Sequence, residues 1–159
     1  MKTLIVYATQ HGCTEKCAEN LARQLAGEVR IVDLKKVKKP ALDQFETVII
    51  GGSIHAGRIQ KKVRKFCIDN RDRLMSKRLG LFLCCMEEGE KALEQFNQAF
   101  PDDLRAQAIA RGLFGGAFDF SRMNWIEKTI TKKVAKIEDS VSKIKEDEIT
   151  RFAKILATT

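Results

Sequence analysis

No apolar run in this chain is long enough to cross a bilayer: the longest, such as LGLFLCCM over 79–86, falls far short of the roughly 20 residues a membrane helix needs. The opening MKTLIVYATQ carries a single lysine and enters strand-like residues with no small-residue cleavage site, so no secretory leader is expected. Five cysteines, an odd number without framework spacing, exclude a disulfide scaffold and suit reduced thiols in the cytoplasm. Low-complexity linkers and internal repeats are also lacking. What remains is 159 residues, 44% of them hydrophobic, with a mean hydropathy of -0.25. That is the profile of a soluble globular protein, read here as one domain over 1–159.

Charge of one sign dominates. The net charge is +8, and the excess is local. Arg58, Lys61, Lys62, Arg64, Lys65, Arg71, Arg73, Lys77 and Arg78 stand against only Asp69 and Asp72. A smaller block, Lys35, Lys36, Lys38 and Lys39, follows the second strand candidate. Such patches attract phosphates, nucleic acid or acidic membrane surfaces, although most single lysines of this kind belong to a solvated helix face.

Two periods alternate along the chain. TLIVY (3–7), VRIVDL (29–34), TVIIGG (47–52), LGLFLCC (79–85) and RGLFGGAF (111–118) are short, apolar and rich in β-branched or aromatic residues, as strands buried on both faces are. Helical spacing links Cys17, Leu21 and Leu25, then Ile59, Val63, Phe66 and Cys67, then Leu93, Phe96 and Phe100. It continues through Ile126, Ile130, Val134, Ile137, Val141 and Ile144, and ends with Ile149, Phe152, Ala153 and Leu156. Strand and helix alternating five times predict an α/β doubly wound parallel sheet of five strands with helices on both faces.

In such sheets ligands bind beyond the carboxyl ends of the strands, at the switch point between the first and third. That rule selects ATQHGCT after strand one, GGSIHAGR after strand three and CCMEEGE after strand four, with GGAFDF ending strand five. The first loop carries no charge. Its backbone N–H groups and the hydroxyls of Thr9 and Thr14, at a helix start near Thr14, can hold a phosphate without a lysine. Gly12 allows the tight turn. Rival sites fail on particular residues. The loop has one glycine, not G-x-G-x-x-G, and no Gly-Lys-Ser/Thr follows it. A phosphoacceptor aspartate at the end of strand three is absent. The spacing Cys17-x5-Arg23 matches a phosphatase loop but falls inside the first helix. Cys13 and Cys17 with His11 lack a fourth metal ligand at suitable spacing, and packing is the better account. No metal and no acid–base catalytic residue is assigned.

The pattern T-x-x-G-x-T after strand one and the Gly-Ser/Gly loop after strand three resemble the flavodoxin superfamily, whose members bind FMN. The likeness covers nearly the whole chain and implies a flavodoxin-like strand order, 2-1-3-4-5, with His11 standing where Thr or Ser is usual. MKTLIVYATQHGCT, VIIGGSIHAGRIQKKVRKF and GGAFDFSRMNW further resemble the menaquinone-linked protoporphyrinogen oxidase branch. That branch carries a longer basic insertion after strand four, where this chain has the short acidic MEEGEKALEQF.

The resemblance implies that Thr9, Gln10, His11, Gly12, Cys13 and Thr14 hold the FMN phosphate. Ser53, Ile54, His55, Ala56, Gly57 and Arg58 would border one side of the flavin ring, with Cys85, Met86 and Glu87 near the other. No Trp or Tyr occupies either loop, so His55 is the stacking candidate. Gly57 can turn its peptide toward the ring, and Arg58 and His55 would favour negative charge on the reduced flavin, making it less reducing. The implied function is electron transfer, as a carrier or a quinone-linked oxidoreductase, with a quinone or redox protein as partner. The basic helix around Trp125 either covers the sheet's edge, the preferred reading, or contacts an anionic membrane peripherally. Cys84 and Cys85, ending a buried strand, would point into opposite faces as structural thiols. A second function class stays open, a non-enzymatic basic binding module for a membrane surface or nucleic acid, though nucleic acid is not the expected partner.

Overall fold

In the computed structural model, which describes residues 1–118 and 141–159, the sheet forms because each apolar run supplies side chains to both of its faces. The strands are β1 (Lys2–Tyr7), β2 (Glu28–Asp33), β3 (Thr47–His55), β4 (Arg58–Ile59), β5 (Arg78–Cys84), β6 (Ala110–Leu113), β7 (Gly115–Phe118) and β8 (Val141–Ile144). The helices are α1 (Cys13–Gln24), α2 (Lys61–Asp69), α3 (Arg71–Leu74), α4 (Gly89–Ala99), α5 (Asp102–Gln107) and α6 (Glu146–Thr158). Five strands run parallel in the order β2-β1-β3-β5-β6, the order expected from sequence. The short β4 folds back antiparallel on the end of β3.

Pleating divides the core in two. Leu4, Val6, Val48, Ile50, Leu81 and Leu83 face one side with Val63 and Phe66 of α2, Phe96 of α4 and Leu104 of α5. Ile5, Tyr7, Ile49 and Phe82 face the other with Cys17 and Leu21 of α1 and Ile149, Phe152 and Leu156 of α6. Thus α1 and α2 cover opposite faces, and the switch point lies between β1 and β3. Among the described residues no helix is long and apolar enough to cross a membrane.

Four details depart from the periodicity. The crossing from β2 to β3 contains no helix; Leu34, Leu42 and Phe45 cover the sheet instead, because Pro40 and the lysine run offer no apolar stripe. Ile59 belongs to β4, not to the helical row of Val63, Phe66 and Cys67. Leu93 is 54% exposed; Ala92, Phe96 and Ala99 carry the buried face of α4. The fifth run breaks at Phe114 into β6 and β7, and Val141–Ile144 pairs with β7 as a strand, not a helix. The rest of the helical row from Ile126, with Trp125, lies outside the described residues.

Three glycines on neighbouring strands leave room for an aromatic cluster. A Cβ on Gly51 would sit 2.0 Å from Phe82 Cζ, one on Gly80 2.8 Å from Phe152 Cζ, and one on Gly112 2.5 Å from Phe114 Cε1. Phe82 stacks on Phe114 at 4.7 Å, and Phe152 meets Phe114 edge-on at 5.3 Å. Each buried ring contributes about 1.5–3 kcal/mol by burial, and each ring pair adds about 0.5–1.5 kcal/mol.

Gly51→Ala should therefore overpack this cluster and lower stability by about 1–3 kcal/mol, read from urea melts; an unchanged midpoint would refute the assignment. Burial, with Asp33, Glu15 and Glu19 nearby, pushes the Tyr7 hydroxyl up to about 12 from 10.0. Between those values the unfolded chain loses this proton and the folded chain keeps it, so stability falls as pH rises from 10.0 toward about 12. Tyr7→Phe should flatten that part of the stability–pH curve.

Candidate functional site

At the carboxyl end of β1 the chain turns sharply before α1. Gly12 adopts the left-handed region at φ 93° as the helix N-cap, and its N–H donates to Thr9 Oγ1 at 2.9 Å. Thr9 thus holds the turn closed, and the Gly12 amide is spent on it. No side chain caps α1, which leaves the first-turn amides of Thr14 and Glu15 aimed past the helix end. Thr14 is fully buried, and its Oγ1 has no hydrogen-bond partner among the described residues. A buried hydroxyl without a partner costs about 1–3 kcal/mol, so an acceptor at this helix end would satisfy it.

The second wall is the β3–β4 hairpin. Ile54 pairs with Ile59 and His55 with Arg58. Between them Ala56 and Gly57 take φ 52° and 80°, the double left-handed turn that suits the strands' twist. Gln60 fastens the hairpin's base: Ser53 N–H donates to Gln60 Oε1 at 3.0 Å, and Gln60 Nε2 donates to Ser53 Oγ at 2.6 Å.

The third wall is the end of β5 and the strand beyond it. Cys84 and Cys85 pack into opposite faces. The Cys85 N–H donates to Gly115 O at 2.9 Å. A Cβ on Gly116 would lie 2.7 Å from Met86 Sδ, so β7 passes directly over this turn. Thr9, Gln10, His11, Cys13, Ser53, Ile54, His55, Cys84, Cys85, Met86 and Gly116 line one cleft. Its enclosed space is about 50 Å³, and the His11 and His55 rings face each other edge-on at 5.7 Å across it. A planar ring system would need those imidazoles drawn apart.

Of the residues expected from sequence, Gly12 and Thr14 stand behind the cleft as its turn and its buried hydroxyl. Ala56 and Gly57 form the exposed hairpin tip, and Glu87 is exposed, its carbonyl accepting from Cys85 Sγ at 3.8 Å. Arg58 faces a separate recess with Arg64, Gln95 and Gln98. Sequence reasoning missed Gln60, Cys84 and Gly116. Cys84 and Gly116 stand in the strand-end segments it had selected, whereas nothing in the spacing marks Gln60.

Burial keeps the protons on Cys17, Cys67, Cys84 and Cys85 at neutral pH. Hydrogen bonding with Cys13, together with burial, holds Cys17 well above its usual range. Contacts with Cys13 and Cys17, and burial, do the same for Cys84. Burial alone pushes Cys67 up to about 12. All five cysteines are thiols, with no disulfide.

A doubly wound sheet with a neutral, uncapped helix end at its switch point defines a class: α/β domains that take an anionic ligand beyond the strand ends. Residues 4–145 match the flavodoxin domain family, and the chain belongs to it. It is 22% identical to the protoporphyrinogen IX dehydrogenase [quinone] of Escherichia coli strain K12, over 99% of this chain and 95% of that protein. Flavodoxin 1 of Bacillus cereus superposes with a TM-score of 0.56 at 16% identity, covering 100% of this chain and 99% of its own. A WrbA-like flavodoxin of Agrobacterium tumefaciens gives 0.58 at 16% identity, over 98% and 95%. The family and the fold together define a flavodoxin-like redox protein.

Gln60→Ala should remove both bonds to Ser53, at about 1 kcal/mol each. Stability should drop by about 1–2 kcal/mol, and amide exchange should quicken at Ser53 and through the hairpin. Unchanged exchange there would show that the clamp does not hold the loop.

Proposed function

We propose that this chain binds FMN and passes electrons between a reduced substrate and a quinone or a redox protein. The observation that carries the reading is the buried Thr14 hydroxyl, which has no partner among the described residues, beside a start of α1 that none of their side chains caps, in a loop without charge. A phosphate fits that donor set, and the loop supplies its amides without a lysine. FMN is the cofactor, and it supplies one- and two-electron chemistry when bound.

The chain's own residues divide the work. Thr9 closes the turn by accepting the Gly12 amide on its hydroxyl oxygen. Thr14 and the first-turn amides hold the phosphate. Gln60 fixes Ser53 so that the hairpin forms a firm edge. His55 would be the stacking partner for the flavin ring, with Cys85 and Met86 on the facing wall of the cleft. Ala56 and Gly57 keep the hairpin tip close, and Arg58 adds positive charge that favours the reduced cofactor.

The E. coli likeness supports a quinone-linked oxidoreductase of the protoporphyrinogen-oxidising type as the finer assignment. An anionic surface on the partner side is supported by a groove of about 770 Å³ whose lining includes Lys38, Lys39, Lys62, Lys65 and Arg73. It suits a cytoplasmic protein that meets the inner membrane face peripherally, with nucleic acid outside its role.

Titration of the purified chain with FMN, with riboflavin as control, tests the reading. Two charge-assisted bonds to the phosphate, about 1.5–3 kcal/mol each, predict riboflavin binding weaker by about 100-fold or more. Thr14→Val should weaken FMN about tenfold and leave riboflavin unchanged. Equal affinity for the two flavins would overturn the phosphate site. Oxidation of protoporphyrinogen with a menaquinone analogue checks the finer assignment.

A further inference from the structure

Cys13 and Cys17 stand one turn apart on α1, and Cys84 reaches the same spot from the end of β5. Their sulfur atoms all lie within 4.8 Å of one another, with Cys17 Sγ and Cys84 Sγ 3.6 Å apart. From sequence the pair on α1 lacked enough ligands; the sheet supplies the third sulfur. Thiolates hold soft ions at about 2.3 Å, as they hold zinc, so three sulfurs around one ion stand at most about 4 Å apart. The cluster is already near that size.

Its surroundings decide which ion. Cys17 and Cys84 are 0% and 2% exposed, and their core neighbours include Ile5, Leu21, Ile49, Phe82 and Phe114. A buried apolar setting penalises net charge heavily. Three thiolates around a divalent or monovalent cation leave one or two negative charges uncompensated. Around a trivalent centre the complex is neutral. We infer that Cys13, Cys17 and Cys84 form a three-sulfur site for a trivalent thiophilic element, with arsenic(III) as its probe.

The chemistry is ligand exchange and balances without electron transfer. Arsenous acid exchanges each As–O bond for an As–S bond, each thiol proton leaves with a hydroxyl, and three waters are released. Cys13 lines the cleft and is 8% exposed, which makes it the point of entry. Loading ties the first turns of α1 to the end of β5, directly behind the anion loop. The site stands on sulfur geometry alone and does not depend on the flavin reading.

The test is native mass spectrometry of the full chain, fully reduced and incubated with arsenite, with alkylation mapping of the remaining thiols. The expected result is a mass gain of one arsenic less three hydrogens, with Cys13, Cys17 and Cys84 alkylated more slowly than in the arsenic-free chain. Cys17→Ser and Cys84→Ser should lose the three-proton signature, while Cys67→Ser keeps it. Circular dichroism checks that each variant folds, and Cys13→Ala, at the cluster's edge, serves where a buried serine prevents folding. A gain accompanied by loss of two hydrogens, or uptake unchanged in the cluster variants, would overturn the proposal. So would retention of zinc or copper(I) in preference to arsenic, which would refute the charge argument.

Discussion

The stacking of Phe82 on Phe114 fixes where the fifth strand breaks, and the candidate site depends on that break. Phe114 is fully buried, and Phe152 meets it edge-on. The residue after it must leave the sheet's path, and Gly115 does so at φ 77° with its Cβ position 1.9 Å from Lys143 O. From there β7 crosses the end of β5, accepts the Cys85 amide and presses Gly116 against Met86. A side chain at Gly115 would meet backbone, and one at Gly116 would displace the Cys85–Met86 turn. The third wall of the cleft is thus set from the core outward.

The same logic runs through the first wall. Cys17 and Leu21 bury α1 against the face that carries the aromatic cluster. Packing therefore fixes the helix start in space, and Thr9 needs only one bond to Gly12 to close the turn. Rigid elements set the position, and the loop contributes chemistry. That division explains how a loop without lysine or arginine can still present an anion-binding end: the donors are backbone groups, and the core orients them.

The alternating strands and helices were legible from their periods, and the strand order came from the family resemblance carried by the loops after β1 and β3. Thr9, His11, Cys13, Ser53, His55 and Met86 were legible because the strand-end rule points at their loops. The break at Phe114 was not, since RGLFGGAF reads as one continuous apolar run until Gly115 is known to turn. The β8 strand was read as helix because four residues at the end of a long apolar row fit either period. Gln60 was hidden for a different reason. Its role is a side-chain clamp across a hairpin whose tight turn, with Ala56 at φ 52°, carries no strong sequence signal.

The basic block shows why composition alone overstates a binding surface. Lys77 donates to the carbonyls of Leu42 and Phe45 and so pins the helix-free crossing. Arg78 bonds Thr47 and the carbonyls of Leu156 and Thr159, closing the end of α6. Lys65, Arg71 and Arg73 each meet an aspartate, Asp69, Asp103 and Asp43. Five of the nine cations are therefore engaged within the fold. Arg58, Lys61, Lys62 and Arg64 have no ion pair among the described residues, and all four stand between the hairpin tip and the first turn of α2. The cations without an ion pair are thus divided, Arg58 and Arg64 lining one recess and Lys62 the groove beside Lys38 and Lys39. Exposed cations of this kind attract anions in general, but none of them lines the cleft itself. The loop that would hold the phosphate contains no lysine or arginine, so the exposed cations and the cleft lining are separate residues.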